Sequence, residues 1–243
     1  MQLAELTYLR MRLAEARCEE PVLEIGAGWD AQFHQRPFRA LGYRRFFAHD
    51  ARTYDGTPLD FVGDICGRTD VPDSFAGCCL LFNVLEHVYA PWQAVDEIRR
   101  ILKPDGALFG SVPLRTAIHR HDRDYWRFCP DGLVYLLRGF RLTNLALDGN
   151  VGLPANLLFT CVKDERQDDW EEHNQEVALR PEVILGNDHV TASRLKRWLI
   201  DRLRRRFGLS IEIWDGPWNC ERMRELGFVE WTVVDYRTVE ERC

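Results

Sequence analysis

A short apolar run that stops at a glycine turn lies near the amino terminus, and it organises the interpretation of the whole chain. Residues 22–28 read Val-Leu-Glu-Ile-Gly-Ala-Gly. A strand that ends at Gly26, Ala27 and Gly28 lets the backbone approach a ligand closely, because glycine has no Cβ, and open α/β sheets bind ligands at this edge. Glu24 places a hydrogen-bond acceptor beside the turn. Such an acceptor suits a ligand with an ammonium group or hydroxyls better than a pyrophosphate.

The composition is that of an ordinary globular protein. The 243 residues are 46% hydrophobic, which is enough for a sizeable core in one α/β domain with or without an appendage. A formal net charge of −6 gives no overall basic field for nucleic acid. No apolar run approaches the about 20 residues that span a bilayer. Residues 1–17 mix charges with leucines and therefore predict an amphipathic helix rather than a signal peptide.

The eight cysteines indicate a reducing compartment. They contain no Cys-x-x-Cys pair, and Cys78 and Cys79 lie inside an apolar run. Reduced thiols in a cytoplasmic protein are therefore expected rather than a disulfide framework.

Strand-like and helix-like segments alternate along the first two thirds of the chain. After the glycine turn, helices are predicted at 31–41 and 91–102, and strands at 44–50, 61–65, 75–84 and 107–112. This order favours a doubly wound, parallel α/β sheet with right-handed crossovers. Residues 142–147 and 157–162 are candidates for its last strands.

Several segments in order resemble class I S-adenosylmethionine-dependent methyltransferases of the broad small-molecule type, over about residues 20–140. The segments that carry the resemblance are 22–28, Asp50, 63–65, 83–88, 97–106 and 111–113. The resemblance implies a Rossmann-like, mostly parallel sheet of seven strands with a carboxy-terminal extension, and S-adenosyl-L-methionine as the cofactor.

The resemblance also implies a role for each matching residue. Glu24 would bind the amino end of the cofactor, directly or through water, and the turn at Gly26, Ala27 and Gly28 would leave room for its methionine and ribose portions. Asp50 would accept from the ribose hydroxyls. The Asp64 carboxylate and the Ile65 amide would contact the adenine. Asn83 and Val84 would lie near the methionine portion, and His87 is a further candidate for cofactor binding.

Some of these residues have structural alternatives. Asp50 or Asp64, taken alone, could simply cap a turn or a helix, and Glu86 and His87 could mainly hold the loop after the fourth strand. Two positions depart from the family pattern, since Asp30 replaces the third glycine of the turn and Asp105 replaces a glycine of the Lys-Pro-Gly-Gly turn. Neither change removes a cofactor-binding group.

Two other classes of function are compatible with parts of the pattern. Residues 26–31 satisfy the G-x-G-x-x-A fingerprint of nicotinamide-dependent dehydrogenases, and Asp50 follows at the expected distance. However, Trp29 and Asp30 would put bulk and negative charge where a pyrophosphate must lie, and Glu24 would have no role. A cofactor-binding scaffold without catalysis is the third class.

The candidate acceptor site is the polar loop at 113–128. His119 or His121 is a candidate general base, oriented by a neighbouring aspartate, because methyl transfer to a hydroxyl requires removal of its proton. The substrate pocket would be shaped by Tyr125, Trp126 and Arg127. The alternative is a purely structural loop fixed by arginine–aspartate pairs, and no metal site is predicted because the loop offers no second ligand cluster.

The predicted function is methyl transfer to a small-molecule acceptor, most plausibly the hydroxyl of a sugar or other metabolite, because similar methyltransferases carry a comparable aromatic and arginine stretch here. The cofactor-binding domain is assigned to residues 1–163, with an amino-terminal helix at 1–18. Residues 164–243 form an α/β extension that begins with a charged linker at 164–172 and includes a basic helix at 191–207. The extension is a candidate lid or homodimer element.

Overall fold

The computed structural model describes residues 2–15, 18–28, 33–118, 123–149, 154–164 and 170–184. The predicted elements beyond residue 184, including the basic helix, lie outside the described residues. Five helices are present in the described part: α1 Gln2–Glu15, α2 Arg36–Ala40, α3 Pro91–Ile101, α4 Pro130–Leu136 and α5 Trp170–Ala178.

An eight-stranded sheet forms the centre of the molecule, in the order β3-β2-β1-β4-β5-β7-β6-β8. Its strands are β1 Val22–Ile25, β2 Phe46–Asp50, β3 Phe61–Val62, β4 Ala76–Phe82, β5 Leu102–Pro113, β6 Phe140–Asp148, β7 Asn156–Lys163 and β8 Glu182–Ile184. Neighbouring strands among β1 to β5 pair in parallel, whereas β7 is antiparallel to both β5 and β6. The predicted doubly wound, mostly parallel α/β fold is confirmed.

Helices cover both faces of this sheet, so its central strand β4 is buried along its whole length of seven residues. On one face, Leu9 of α1 and Phe38 of α2 belong to the same apolar cluster as Phe109 of β5. On the other face, Ile98 of α3 and Leu133 of α4 belong to the larger core. Two-sided burial of a parallel sheet explains the near-continuous apolar run of β4.

The sheet has one strand more than the seven predicted, and the extra strand comes from the extension. Strand β8 pairs in parallel with β6, and it covers an edge of the sheet that would otherwise present unpaired backbone groups. The predicted linker at 164–172 is wrong from Trp170 onward, because α5 begins there and buries Asn174. Asn174 accepts from the Leu142 amide of β6 at 2.7 Å, so the start of the extension packs on the sheet.

One further sequence expectation is met by the described part. Asp105 adopts a positive φ of 59°, as a residue that replaces glycine in a turn must. The six described cysteines carry free thiols. None of the described helices is long and apolar enough to cross a membrane.

Candidate functional site

The glycine turn after β1 combines a tight packing contact with an open position. Gly26 and Gly28 have φ values of 69° and 60°, in the left-handed region that favours glycine. A Cβ at Gly26 would lie 2.3 Å from Val84 Cγ2, whereas a Cβ at Gly28 would meet no atom of the described residues within 4 Å. Gly26 therefore lets the turn pack against the end of β4, and the described residues leave Gly28 uncrowded.

Asp50 is built into the same turn from the neighbouring strand. It ends β2, and its Oδ2 accepts from the Gly28 amide at 2.8 Å. Tyr54 donates its hydroxyl proton to Oδ1 over 3.4 Å. The amides of Gly26 and Ala27 donate to the carbonyl of His49 at 2.9 and 3.1 Å. The structure thus brings together the glycine turn and the acid that the sequence predicted beside it.

Asp64 lies beyond β3 at the same edge of the sheet. Its side chain is exposed, and Oδ1 accepts from the Cys66 amide at 2.9 Å, the turn-capping contact that was the structural alternative. The side chain of Ile65 is buried. Because Val62 pairs with Asp50, the ends of β2 and β3 lie side by side. Asp64 is therefore accessible to a ligand that also reaches Asp50.

Glu24 is part of a buried ionic cluster. Glu24 is 3% exposed, and its Oε1 lies 2.8 Å from Nδ1 of His34. The other ring nitrogen of His34, Nε2, lies 3.3 Å from Oε2 of Glu5. Burial by itself lowers the pKa of His34, but its hydrogen bonds with Glu24 and Glu5 raise that pKa to about 9. At neutral pH the ring is an imidazolium that bridges two carboxylates.

Glu5 extends this cluster to the ends of β4 and β5. It lies on α1 and is 1% exposed. Its Oε1 accepts from Ser111 Oγ at 2.9 Å and from Asn83 Nδ2. Burial raises the pKa of Glu5, but the His34, Ser111 and Asn83 contacts outweigh burial and leave the pKa below its usual range. The amino-terminal helix is therefore anchored by charge at the predicted cofactor edge.

The segment after β4 connects this cluster to the predicted acceptor loop. Asn83 has a φ of 54°, and its Oδ1 is buried with no hydrogen-bond partner in the described part of the chain. The carbonyl of Glu86 accepts from the Tyr125 amide at 2.7 Å, and His87 Nδ1 lies 2.6 Å from the carbonyl oxygen of Arg123. The loop at 123–128 is thus fastened to the segment that carries Asn83 and Val84. The contact of His87 with this loop supports a loop-holding role for that residue.

Within the acceptor loop, two of the three predicted substrate residues make contacts that fix the loop itself. Trp126 Nε1 donates to the Val88 carbonyl at 2.9 Å. Arg127 forms a bidentate pair with Asp124, with Nη2 to Oδ2 at 2.8 Å. Tyr125 is 43% exposed. Of the three, Tyr125 has the side chain most available to a substrate.

The two candidate bases cannot be located in the structure. His119 and His121, together with Asp122, fall outside the described residues. Among the residues that the structure does describe, no group of three or more His, Cys, Asp or Glu side chains could hold a metal ion.

A buried carboxyl that the sequence left undecided is a prominent feature of the site. Glu86 is 0% exposed, and neither of its carboxylate oxygens has a hydrogen-bond partner in the described segments. Burial raises the pKa of Glu86 to about 8. Sequence reasoning identified Glu86 as a motif residue, but burial, which distinguishes it, comes from the packing of distant segments. Glu5 and His34 were missed as site residues for the same reason.

The chain matches known proteins in one part of its sequence and over much of its fold. The "Methyltransferase domain" family matches residues 44–110. A structure of the complex between the Haloferax volcanii Trm112 methyltransferase activator and a methyltransferase matches with a TM-score of 0.51 and 18% identity, over 66% of this chain and 90% of that one. No curated protein matches the sequence.

Two further solved structures have the same fold. Burkholderia thailandensis 1,6-didemethyltoxoflavin-N1-methyltransferase, with bound 1,6-didemethyltoxoflavin and S-adenosylhomocysteine, matches with a TM-score of 0.51 and 20% identity, over 68% of this chain and 78% of that one. An S-adenosylmethionine-dependent methyltransferase from Archaeoglobus fulgidus matches with a TM-score of 0.51 and 12% identity, over 67% of this chain and 95% of that one. At these identities the likeness concerns the fold.

Proposed function

The chain carries a methyltransferase domain with the class I, S-adenosylmethionine-dependent fold, and from this premise we propose that it transfers a methyl group to a small-molecule acceptor. The acceptor group we propose is a hydroxyl of a sugar or another small metabolite. S-Adenosyl-L-methionine supplies an electrophilic methyl group on a sulfonium, and the protein has to position the acceptor in line with it and take up its proton.

One observation supports this proposal above the others: three adjacent parallel strands carry acidic residues at or near the edge of the sheet that holds the glycine turn. Asp50 ends β2 and accepts from the amide of Gly28, Asp64 follows β3, and Glu24 is the penultimate residue of β1. Acceptors in this arrangement match the ribose hydroxyls, adenine amine and ammonium group of the proposed cofactor. A pyrophosphate would meet like charge here, which disfavours the dehydrogenase alternative.

The buried cluster suggests how the amino end of the cofactor is held. Glu24 is already engaged by His34, so Asn83 Oδ1, a buried acceptor without a partner among the described residues, is the more available group for an ammonium. In this proposal Glu24 contributes directly or through water, and the His34 imidazolium balances the two glutamates. The adenine contacts of Asp64 and Ile65 and the base role of His119 or His121 remain predictions.

The nature of the acceptor rests on the loop at 123–128. Tyr125 offers an exposed aromatic ring within this loop, and its amide is bonded to the carbonyl of Glu86. The Burkholderia relative is named for a small-molecule substrate, which is in line with a small acceptor for this fold. The cysteine pattern favours action in the cytoplasm, and the extension is a candidate homodimer element.

Methyl transfer itself provides the test. The purified protein would be incubated with S-adenosyl-L-methionine carrying a labelled methyl group and a panel of acceptors, with sugars first and amines as the comparison. Asp50→Ala should reduce transfer at sub-saturating cofactor by about 100-fold, because two hydrogen bonds to a charged acceptor are lost. Asp96→Ala, an exposed aspartate of α3, is the matched control and should leave transfer unchanged. Cofactor binding without transfer to any acceptor would favour the scaffold alternative.

A further inference from the structure

Glu86 belongs to the segment that joins the two parts of the candidate site. Its backbone carbonyl accepts from the amides of Tyr125 and Trp126, which ties this segment to the predicted acceptor loop. Glu86 lies three residues after Asn83, whose side chain contacts Glu5 and whose Oδ1 is a candidate ligand for the cofactor. The segment therefore connects the strand end that is predicted to lie near the methionine portion of the cofactor with the loop that is predicted to hold the acceptor.

Charged groups face this carboxyl from three elements. His87 Nε2 on the same segment lies 3.7 Å from Oε1. From the acceptor loop, Arg127 favours the ionised carboxylate and Asp124 disfavours it, and from α1 Glu5 also disfavours it. None of these groups donates a hydrogen bond to either oxygen within the described residues. A fully buried carboxyl without donors costs several kcal/mol to ionise unless a cation arrives.

Building on the proposed function, we propose that Glu86 is the proton-accepting group of methyl transfer: it is neutral in the free protein, ionises when the cationic sulfonium binds beside it, and then takes the proton of the acceptor. In the transfer step the carbon–sulfur bond breaks and its electron pair stays on sulfur. A bond forms between that carbon and the acceptor heteroatom, whose proton moves to the Glu86 carboxylate. Charge and atoms balance without a further reactant, because the cofactor itself supplies the positive charge that ionises Glu86.

The electrostatics support both halves of this cycle. A pKa raised by burial to about 8 keeps Glu86 mostly protonated at pH 7. A positive charge within about 4–6 Å lowers a carboxyl pKa by about 1–3 units, which is enough to release most of one proton at that pH. The product thioether is uncharged, so Glu86 keeps the transferred proton until the next sulfonium cofactor binds.

The test counts protons during cofactor binding and needs no acceptor. Calorimetric titrations at pH 7 in two buffers of different ionisation enthalpy would compare S-adenosyl-L-methionine with S-adenosyl-L-homocysteine. Both ligands carry the same ammonium, carboxylate and adenosine, and they differ in the sulfonium methyl. We expect about one more proton to be released with the sulfonium ligand. The difference should vanish above about pH 9, where Glu86 is already ionised.

Two variants locate the proton. In Glu86→Gln the difference between the two ligands should disappear, whereas Glu97→Gln should retain it, because Glu97 is a buried carboxylate of α3 paired with Arg100 and Thr69. Equal proton release for both ligands in the unmodified protein, or a difference that persists in Glu86→Gln, would overturn the role of Glu86. Failure of both ligands to bind would instead overturn the proposed function. If a variant does not fold, the pH series on the unmodified protein still tests whether the extra proton release disappears above about pH 9.

Discussion

Replacing His34 by glutamine removes the positive charge that bridges Glu5 and Glu24. The side chain of His34 is 15% exposed, and its ring nitrogens lie 2.8 Å from the Glu24 carboxylate and 3.3 Å from the Glu5 carboxylate. Glutamine retains a hydrogen-bonding group of similar reach but leaves two buried carboxylates without a cation. We therefore expect His34→Gln to fold with reduced stability, and the reduction to depend on pH in a defined way.

The size of the effect follows from the shift in pKa. His34 goes from a pKa of 6.5 in the unfolded chain to about 9 in the folded protein. A raised folded-state pKa contributes stability that is fully present below the unfolded pKa and is lost as pH rises through the folded one. At about 1.4 kcal/mol per unit, the contribution is about 3 kcal/mol at pH 6, about 2.5 kcal/mol at pH 7 and less than about 0.5 kcal/mol at pH 9.

Urea unfolding followed by tryptophan fluorescence measures this contribution. The free energy of unfolding would be compared between the unmodified protein and His34→Gln at pH 6, 7 and 9, with His173→Gln as the matched control. His173 Nε2 contacts a backbone carbonyl, that of Leu142, at 3.0 Å rather than a carboxylate. The gap between the unmodified protein and His34→Gln should be largest at pH 6 and nearly closed at pH 9.

A gap that is constant from pH 6 to pH 9 would refute the reasoning, because the loss would then come from packing of the ring on Phe82 and not from its charge. A gap that grows with pH would refute it as well, since His34 would then be neutral in the folded protein.

Three further substitutions have expected effects on stability. Gly26→Ala should lower the free energy of unfolding by about 2 kcal/mol or more, because its Cβ would collide with Val84, whereas Gly28→Ala should cost about 1 kcal/mol of backbone strain and mainly weaken cofactor binding. Equal losses of stability in the two urea-unfolding series would contradict this distinction. Tyr8→Phe should cost about 1 kcal/mol in the same assay, because the buried 2.7 Å hydrogen bond to Thr160 is lost; no change would mean that α1 is not anchored there.

The alternation of strands and helices could be predicted from the sequence because the information is local. The first strand runs into Gly26, the second ends in Asp50, and the helix of 91–101 begins with Pro91, so these elements can be read residue by residue. Asp50 was predicted at the end of the second strand, and it ends β2. The boundary errors were small, as when the helix predicted to end at residue 102 gave way to β5 at Leu102.

The buried charges could not be predicted because they depend on contacts between distant segments. Glu5 lies in a helix that the sequence predicts to be amphipathic. The residues around Glu5 do not indicate that its side chain contacts Asn83, after β4, and Ser111 of β5. His34 bridges residues 29 and 10 positions away along the chain. Glu86 was part of a recognised motif, yet its full burial is not readable from the motif, and its backbone is bonded to the loop at 123–128, about 40 residues away. Strand β8 likewise required knowledge of the free edge of β6.

The central claim is that the edge formed by Asp50, Asp64 and the glycine turn binds S-adenosyl-L-methionine, and calorimetric titration of the purified protein with that ligand tests it most directly. NAD(H) would be titrated in parallel. We expect micromolar binding of S-adenosyl-L-methionine that Asp50→Ala weakens by about 100-fold, and no measurable binding of NAD(H). Binding of NAD(H) alone, or of the sulfonium ligand with unchanged affinity in Asp50→Ala, would contradict it.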